Sequence, residues 1–353
     1  MNDTTKRART SKESDLKAAA KWQGPQGRTA LHFACAAGRH CYACLLLKAG
    51  GEAGKADNLG QTPLHEAARN GYADCLNSLI EAGGDASAAD SSGSTPVHEA
   101  ARSGFADCLG ALIAAGGDVD VADHRGLTPL HEAAGNGRVG AVVALLAAGG
   151  DANRGNLIAD LTPLHGAAML GEARCVVALL AGGGDPNALD DDGQTPLTRA
   201  AKCGCAASVA ALLEAGGDPN ASNDDGWAPL HAAALNGRGE CVALLVAAGG
   251  DAARGEPGEC AFSYALRRGH RRLLPTLYRG GGTAAAAGAV PRTAENAVAW
   301  AYADRVAERG GWSARVETHR ATATAVVLRC VGHALVDDLM GLVVDFWTVP
   351  GGY

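Results

Sequence analysis

The sequence predicts an all-α solenoid, a stack of short helix-turn-helix units. Three observations predict it. A segment recurs down the chain, as GQTPLHEAARNG at 60–71, GSTPVHEAARSG at 93–104, GLTPLHEAAGNG at 126–137 and GQTPLTRAAKCG at 193–204. Its register is fixed: the residue before the repeated histidine falls at Leu31, Leu64, Val97, Leu130, Leu164, Leu197 and Leu230, in steps of 33, 33, 33, 34, 33 and 33. A period in the low thirties is the mark of a stacked array. The third observation is compositional. Aromatic residues make up only 4% of the 353, while alanine and leucine supply the apolar mass and 49 glycines punctuate it. That suits many short helices with close backbones better than one large core.

Residues 1–13 are polar and charged and read as a disordered tail; the KRAR at 6–9 is either solvated or a small nuclear-import signal. No apolar signal-peptide segment precedes the repeats, and no run of eighteen apolar residues offers a membrane span. With eleven cysteines, an odd number, the expected setting is reduced and intracellular, cytoplasmic with nuclear entry as the alternative. The net charge of −7 gives no basic field for nucleic acid.

Residues 14–26 read as a partial N-terminal cap, with a short helix over 14–22. The second repeat then shows how each unit is built. Thr62 is placed to cap the first helix by accepting a backbone N–H, and Pro63 fits the first turn, where its missing N–H costs nothing. Ala67 and Ala68 let a neighbouring helix approach, and Gly71 ends the helix in a left-handed conformation. Cys75, Leu76, Leu79 and Ile80 form one buried stripe on the second helix, which Gly83 and Gly84 end. A polar finger over 85–93 leads to the next unit. One such unit cannot bury its apolar face alone, so stability comes from stacking.

The unit T-P-L-H-x-A-A-x-x-G, a second apolar helix, then A-G-G-D and a polar loop, resembles the ankyrin repeat over residues 27–282. The resemblance implies β-hairpin-like fingers, and a histidine that hydrogen-bonds the motif threonine and the neighbouring backbone. It also implies a concave groove that binds protein. Two units depart from the pattern. Thr198 replaces the histidine of repeat six, and Ala228 replaces the threonine of repeat seven, which removes a cap worth about 1 kcal/mol.

Recurrent His-Glu pairs invite a metal reading, which the spacing opposes. His32, His65, His98, His131, His165 and His231 occur once per repeat, and packed helices lie about 8–10 Å apart, too far for neighbours to share an ion. The H-E-x-x-H pattern of zinc proteases fails at Arg69, Arg102 and Gly135. A calcium site from the aspartates at 190–192 and 224–225 lacks the twelve-residue ligand pattern. No cofactor or metal is expected. Cys75, Cys108, Cys175 and Cys241 share one repeat position and read as core residues, as do Cys41 and Cys44 despite their C-x-x-C spacing. Cys203 faces outward as a free thiol. The sequence singles out no nucleophile with a base and no phosphate loop, so no enzyme is expected.

After repeat seven the motif degenerates. Phe262 stands where leucine belongs, one residue early, and Arg267, Arg268, His270, Arg271 and Arg272 make the last repeat polar, as a terminal cap requires. Residues 283–292 are a Gly/Ala-rich linker, and 293–353 read as a helical C-terminal segment with helices near Thr293, over 312–333 and over 335–347. LVDDLMGLVVDFW resembles the first helix of an F-box, with Val336 in place of the family's proline. AVVLRCVGHA resembles the elongin-binding segment of a SOCS box through Ala325, Val326 and Cys330. Either resemblance implies a substrate adaptor of a cullin-type ubiquitin ligase; a structural cap is the other reading.

The outward positions of the fingers and first helices are polar in repeats two and three. In repeats four to seven they carry Leu127, Leu161, Met169, Leu170, Trp227 and Leu235, and Leu157 and Ile158 fall on a repeat-five finger that is one residue longer, with Asp160 in place of the usual glycine. These residues either form an interface or, on the irregular finger, pack between fingers. Asp191, Asp192, Asp224 and Asp225 give an acidic rim, with His124 and Arg125 as a small basic counterpoint. The expected activity is protein recognition by a monomer, with no membrane or nucleic-acid role. The partner would carry basic residues around an apolar core.

Overall fold

The computed structural model describes residues 13–255, 259–282, 299–301 and 303–304. The chain divides into two compact units, Met1–Asp224 and Asp225–Tyr353. In the first unit a helix over 13–21 (α1) and a 3-10 turn at Pro25–Gly27 precede six helix pairs. These are α2 (Ala30–Ala36) with α3 (His40–Lys48), α4 (Pro63–Asn70) with α5 (Ala73–Glu81), and α6 (Pro96–Ser103) with α7 (Ala106–Ala114). Then come α8 (Pro129–Gly135) with α9 (Val139–Ala147), α10 (Pro163–Leu170) with α11 (Ala173–Ala181), and α12 (Pro196–Cys203) with α13 (Ala206–Glu214). First helices pack on first helices and second on second, giving two layers. The expected all-α solenoid of stacked helix pairs is what the chain forms. Among the described residues the fingers are turns, not hairpins; the one β-bridge pairs Gln23 with Thr29.

Each unit closes its core as the pattern dictates. Leu64, Ala67, Ala68, Leu76 and Leu79 are fully buried and Cys75 is 1% exposed, whereas Ile80 is only half-buried at the stripe's edge. A buried leucine contributes about 1.5–3 kcal/mol, so two or three per repeat account for most of the stacking energy. The four cysteines of the shared position are buried, as expected. Cys41 and Cys44 are not core residues: Cys41 is exposed and Cys44 half-buried, because they lie on the side of α3 away from the buried Ala43 and Leu46.

The histidines join the layers. Thr62 N–H donates to His65 Nδ1 at 3.1 Å, and the Thr62 hydroxyl lies 3.0 Å from the same nitrogen. His65 Nε2 lies 3.1 Å from the Ser94 carbonyl of the next repeat. A backbone amide can only donate and a carbonyl only accept, so Nδ1 is bare, Nε2 carries the proton and the ring is neutral. The arrangement recurs at His32, His98, His131 and His165, with Nε2 facing the carbonyls of Gln61, Leu127, Leu161 and Gln194. Both nitrogens are used by the backbone, so neither offers a lone pair to a metal. The amide-to-threonine cap anticipated from the sequence is present at His131 N–H to Thr128, 3.4 Å, and at Thr198 N–H to Thr195, 3.2 Å.

The second unit holds repeat seven, α14 (Pro229–Leu235) with α15 (Gly239–Ala247), and the terminal repeat, α16 (Ala261–Arg267), a 3-10 turn at Arg271–Leu273 and α17 (Leu274–Arg279). At Ala228 the hydroxyl is gone, yet the backbone N–H still donates to His231 Nδ1 at 3.1 Å, so only half of the cap is lost. Phe262 is fully buried and meets Tyr278 edge-on at 4.7 Å. The described part of the helix expected near Thr293 is helical, and Ala299, Trp300 and Ala303 are buried. The Tyr278 hydroxyl donates to the Ala303 carbonyl at 3.3 Å, which ties this segment to the terminal repeat. The 283–292 linker and the two later helices lie outside the described residues.

Candidate protein-recognition face

Four fingers of the first unit share one construction. The Oδ1 atoms of Asp57, Asp90, Asp123 and Asp190 each accept two backbone N–H groups, two and four residues on, at 2.8–3.0 Å. Burial alone would raise the Asp90 carboxyl, but hydrogen bonds from Ser92, Gln61 and Ser94 outweigh it and hold the group below its ordinary value. A single main-chain bond then joins successive fingers. Asn58 N–H donates to the Gln26 carbonyl, Ser91 to Leu59, His124 to Ser92, Leu157 to Arg125 and Asp191 to Ala159, all at 2.8–3.0 Å.

Repeat five fits its extra residue without breaking this seam. Asn156 replaces the aspartate and accepts from the N–H groups of Ile158, Ala159 and Leu161. The carbonyl that meets the next finger belongs to Ala159, three residues after the turn residue instead of two, so Ile158 bulges outward. Asp160 takes the left-handed conformation, φ 50°, that Gly60, Gly93, Gly126 and Gly193 adopt elsewhere. The consequence is exposure. Leu157 is 79% and Ile158 65% accessible, so these side chains do not pack between fingers. Leu170, at the end of α10, is 62% exposed, and Met169 and Leu161 are half-buried. Leu189, before the next finger, is 57% exposed and is not among the outward positions read from the sequence, because it sits two residues before them.

The face of repeats one to four has a different chemistry, of which the sequence shows only polar outward positions in repeats two and three. Glu66, Glu99 and Glu132, each following the motif histidine, are 2–8% exposed. Arg28 pairs with Glu66, Arg69 with Glu66 and Glu99, and Arg102 with Glu99 and Glu132. Arg125, expected with His124 as a small basic counterpoint, bridges Asp123 and Glu132 at 3.1 and 3.2 Å. It fills the slot that Gly135 leaves empty where repeats two and three have arginine. Burial would raise the Glu132 carboxyl, but Arg102 and Arg125 hold it below its ordinary value. The ladder ends at repeat five, where Gly166 and Met169 replace its glutamate and arginine positions.

The acidic rim is likewise part-neutralised. Asp190 is buried and paired with Arg199, and Asp192 pairs with the same guanidinium at 2.8 Å. Asp160 and Asp191 are exposed, with no ion pair among the described residues, His124 is exposed too, and Leu127 is half-buried with its carbonyl facing His98. Asp224, the last residue of the first unit, is exposed.

In the second unit Asp225 is exposed, and Trp227 and Leu235 are half-buried. Trp227 is not a free-standing anchor: it meets Tyr264 edge-on at 5.1 Å and His231 at 5.7 Å, and Arg267 lies over the Tyr264 ring at 5.4 Å. The Leu235 carbonyl accepts from His270 Nε2 at 3.2 Å. The sequence-predicted residues therefore fall into an exposed apolar set on repeat five and an aromatic cluster on repeat seven, each in its own unit.

A family model described as "Ankyrin repeats (3 copies)" matches residues 12–90, 74–156, 142–223 and 211–283. A search of curated proteins returns no match. Among solved structures the chain is similar to the human ASB11 ankyrin repeat domain, 28% identical, covering 57% of this chain and 90% of that one, TM-score 0.53. It is also similar to the ankyrin repeat domain of Bcl-3, a member of the IkappaB protein family, 30% identical, covering 58% and 93%, TM-score 0.53. No described helix is long and apolar enough to cross a membrane. The tandem matches take in most of the chain and follow the helix pairs and their histidine network: this chain belongs to the ankyrin repeat family.

Proposed function

We propose that the chain is a protein-recognition scaffold that binds, as a monomer, through the finger and first-helix face, with the centre of contact on repeat five. The exposure of Leu157, Ile158 and Leu170 carries this reading, with Met169 beside them. Exposed apolar groups gathered on one repeat mark an interaction site when a partner covers them. Asp160 and Asp191 favour basic groups around the partner's apolar core. Repeats one to four, whose arginines and glutamates already satisfy each other, would contribute less, since a partner would have to break paired charges. Trp227, Leu235, Asp224 and Asp225 stand as secondary contacts. The test is affinity capture from a eukaryotic lysate with the full chain and with Ile158→Asp/Leu170→Asp. Loss of the bound protein in the variant is expected; retention at full level places the contact elsewhere.

The second reading, a substrate adaptor of a cullin-type ubiquitin ligase, rests on the F-box-like and SOCS-box-like segments, which lie outside the described residues. Skp-type or elongin subunits retained by the full chain, but not by a chain ending at residue 304, would support it. Equal retention of the same non-ligase partner by both would remove it.

A further inference from the structure

A nucleophile and a base meet on the second-helix layer, away from the recognition face. His40 and Cys44 lie one turn apart on α3, and Ser78 comes from α5 of the next repeat. Cys44 Sγ is 3.2 Å from His40 Nε2 and 3.4 Å from Ser78 Oγ, and Ser78 Oγ is 3.1 Å from His40 Nε2. The three atoms form a closed triangle at hydrogen-bond distance. All three side chains are half-exposed, so a small reagent can reach the sulfur. Two other thiols nearby, Cys35 and Cys75, are buried, and burial pushes both up, which keeps them protonated and inert.

We propose that Cys44 is a peroxide-reactive thiol, with His40 as its proton acceptor and Ser78 as the group that holds both in place. The imidazole nitrogen takes the thiol proton, and the resulting thiolate is stabilised by the imidazolium N–H and the serine hydroxyl. The sulfur attacks one oxygen of a hydroperoxide. An S–O bond forms, the O–O bond breaks, and the proton held by His40 passes to the leaving oxygen. One thiol and one hydrogen peroxide give one sulfenic acid and one water; the sulfur loses two electrons and the peroxide gains them.

Two cysteines serve as internal rulers. Cys41, on the same helix, and Cys203, at the end of α12, are both exposed, and among the described residues neither has a hydrogen-bonded base. Reactivity set by exposure alone would rank both above Cys44; the triangle ranks Cys44 first. The experiment treats the folded full chain with substoichiometric hydrogen peroxide, traps sulfenic acid with dimedone and measures each site by mass spectrometry. Labelling of Cys44 is expected to exceed that of Cys41 and Cys203 by at least about tenfold, a part of what a positioned base contributes. His40→Asn should bring Cys44 to the level of Cys41, and Ser78→Ala, which leaves the base in place, should lower it several-fold. A thermal melt of each variant confirms that it is folded. Labelling that follows exposure, or a Cys44 preference that survives both substitutions, overturns the assignment.

Discussion

At the scale of the residue, the motif histidine is the busiest group in each repeat. It ties the start of its own first helix to a carbonyl of the next unit, and it does so only when neutral. Removing it from repeat three leaves the buried Thr95 amide without a partner, while the Leu127 carbonyl keeps only the Asp123 N–H. His98→Ala should therefore cost about 1–3 kcal/mol, read from urea unfolding. The same logic sets a pH dependence. Burial holds His32, His65, His98, His131, His165 and His231 below their ordinary value of 6.5. Their unfolded forms take up protons first, so stability is full above pH 6.5 and falls as pH drops below it. Urea midpoints at pH 7.5 and 5.5 should differ, the second being lower; equal midpoints would refute a buried neutral network. This much was legible in the sequence, because the Thr-Pro-Leu-His register repeats. The proton's position was not, since it depends on which backbone group faces each nitrogen.

At the scale of the element, the ion-pair ladder and the repeat-five finger respond differently to substitution. Arg102 lies between two carboxylates that are 3% and 9% exposed, while Arg102 itself is 37% exposed. Arg102→Ala should cost about 2–3 kcal/mol, less than the 3–5 for a fully buried pair. Arg125→Ala, on a 55% exposed side chain whose partner Glu132 keeps Arg102, should cost less than about 1 kcal/mol. Thermal or urea unfolding of the two variants reads the contrast. On the finger, Asp160 holds a left-handed φ of 50° that glycine adopts without cost. Asp160→Gly should stabilise the chain by about 0.5–1 kcal/mol. Gly126→Ala should do the reverse and by more, because its φ is positive and its added carbon would run into the Leu157 amide nitrogen. The sequence showed the inserted residue and the missing glycine. It did not show the outcome, because whether Leu157 and Ile158 turn inward depends on where the inter-finger bond re-forms. The ladder was equally hidden: its charges are separated by about thirty residues, and only stacking brings them together.

At the scale of the whole molecule, the contacts proposed for function and those that hold the stack sit on different atoms. The apolar groups proposed to meet a partner are the ones the stack leaves in water, so Ile158→Asp/Leu170→Asp should shift the unfolding free energy by no more than about 0.5 kcal/mol per site while abolishing capture of the partner. A large loss of stability would show that these side chains serve the fold instead. The array was legible end to end in the period of the sequence, and so was the terminal repeat's polar outer surface. The packing of Trp227 against Tyr264 was not, since the second aromatic belongs to a repeat whose motif has decayed. One feature reaches beyond this chain's own partner. Neighbouring finger tips share one amide-to-carbonyl bond, which every residue but proline can supply, and side-chain bonds such as Gln61 to Asp90 come from other positions. The tips can thus be rewritten residue by residue with the scaffold left standing. A library randomised at 58, 91, 124, 157, 158 and 191 would be a set of new specificities displayed on one unchanged frame.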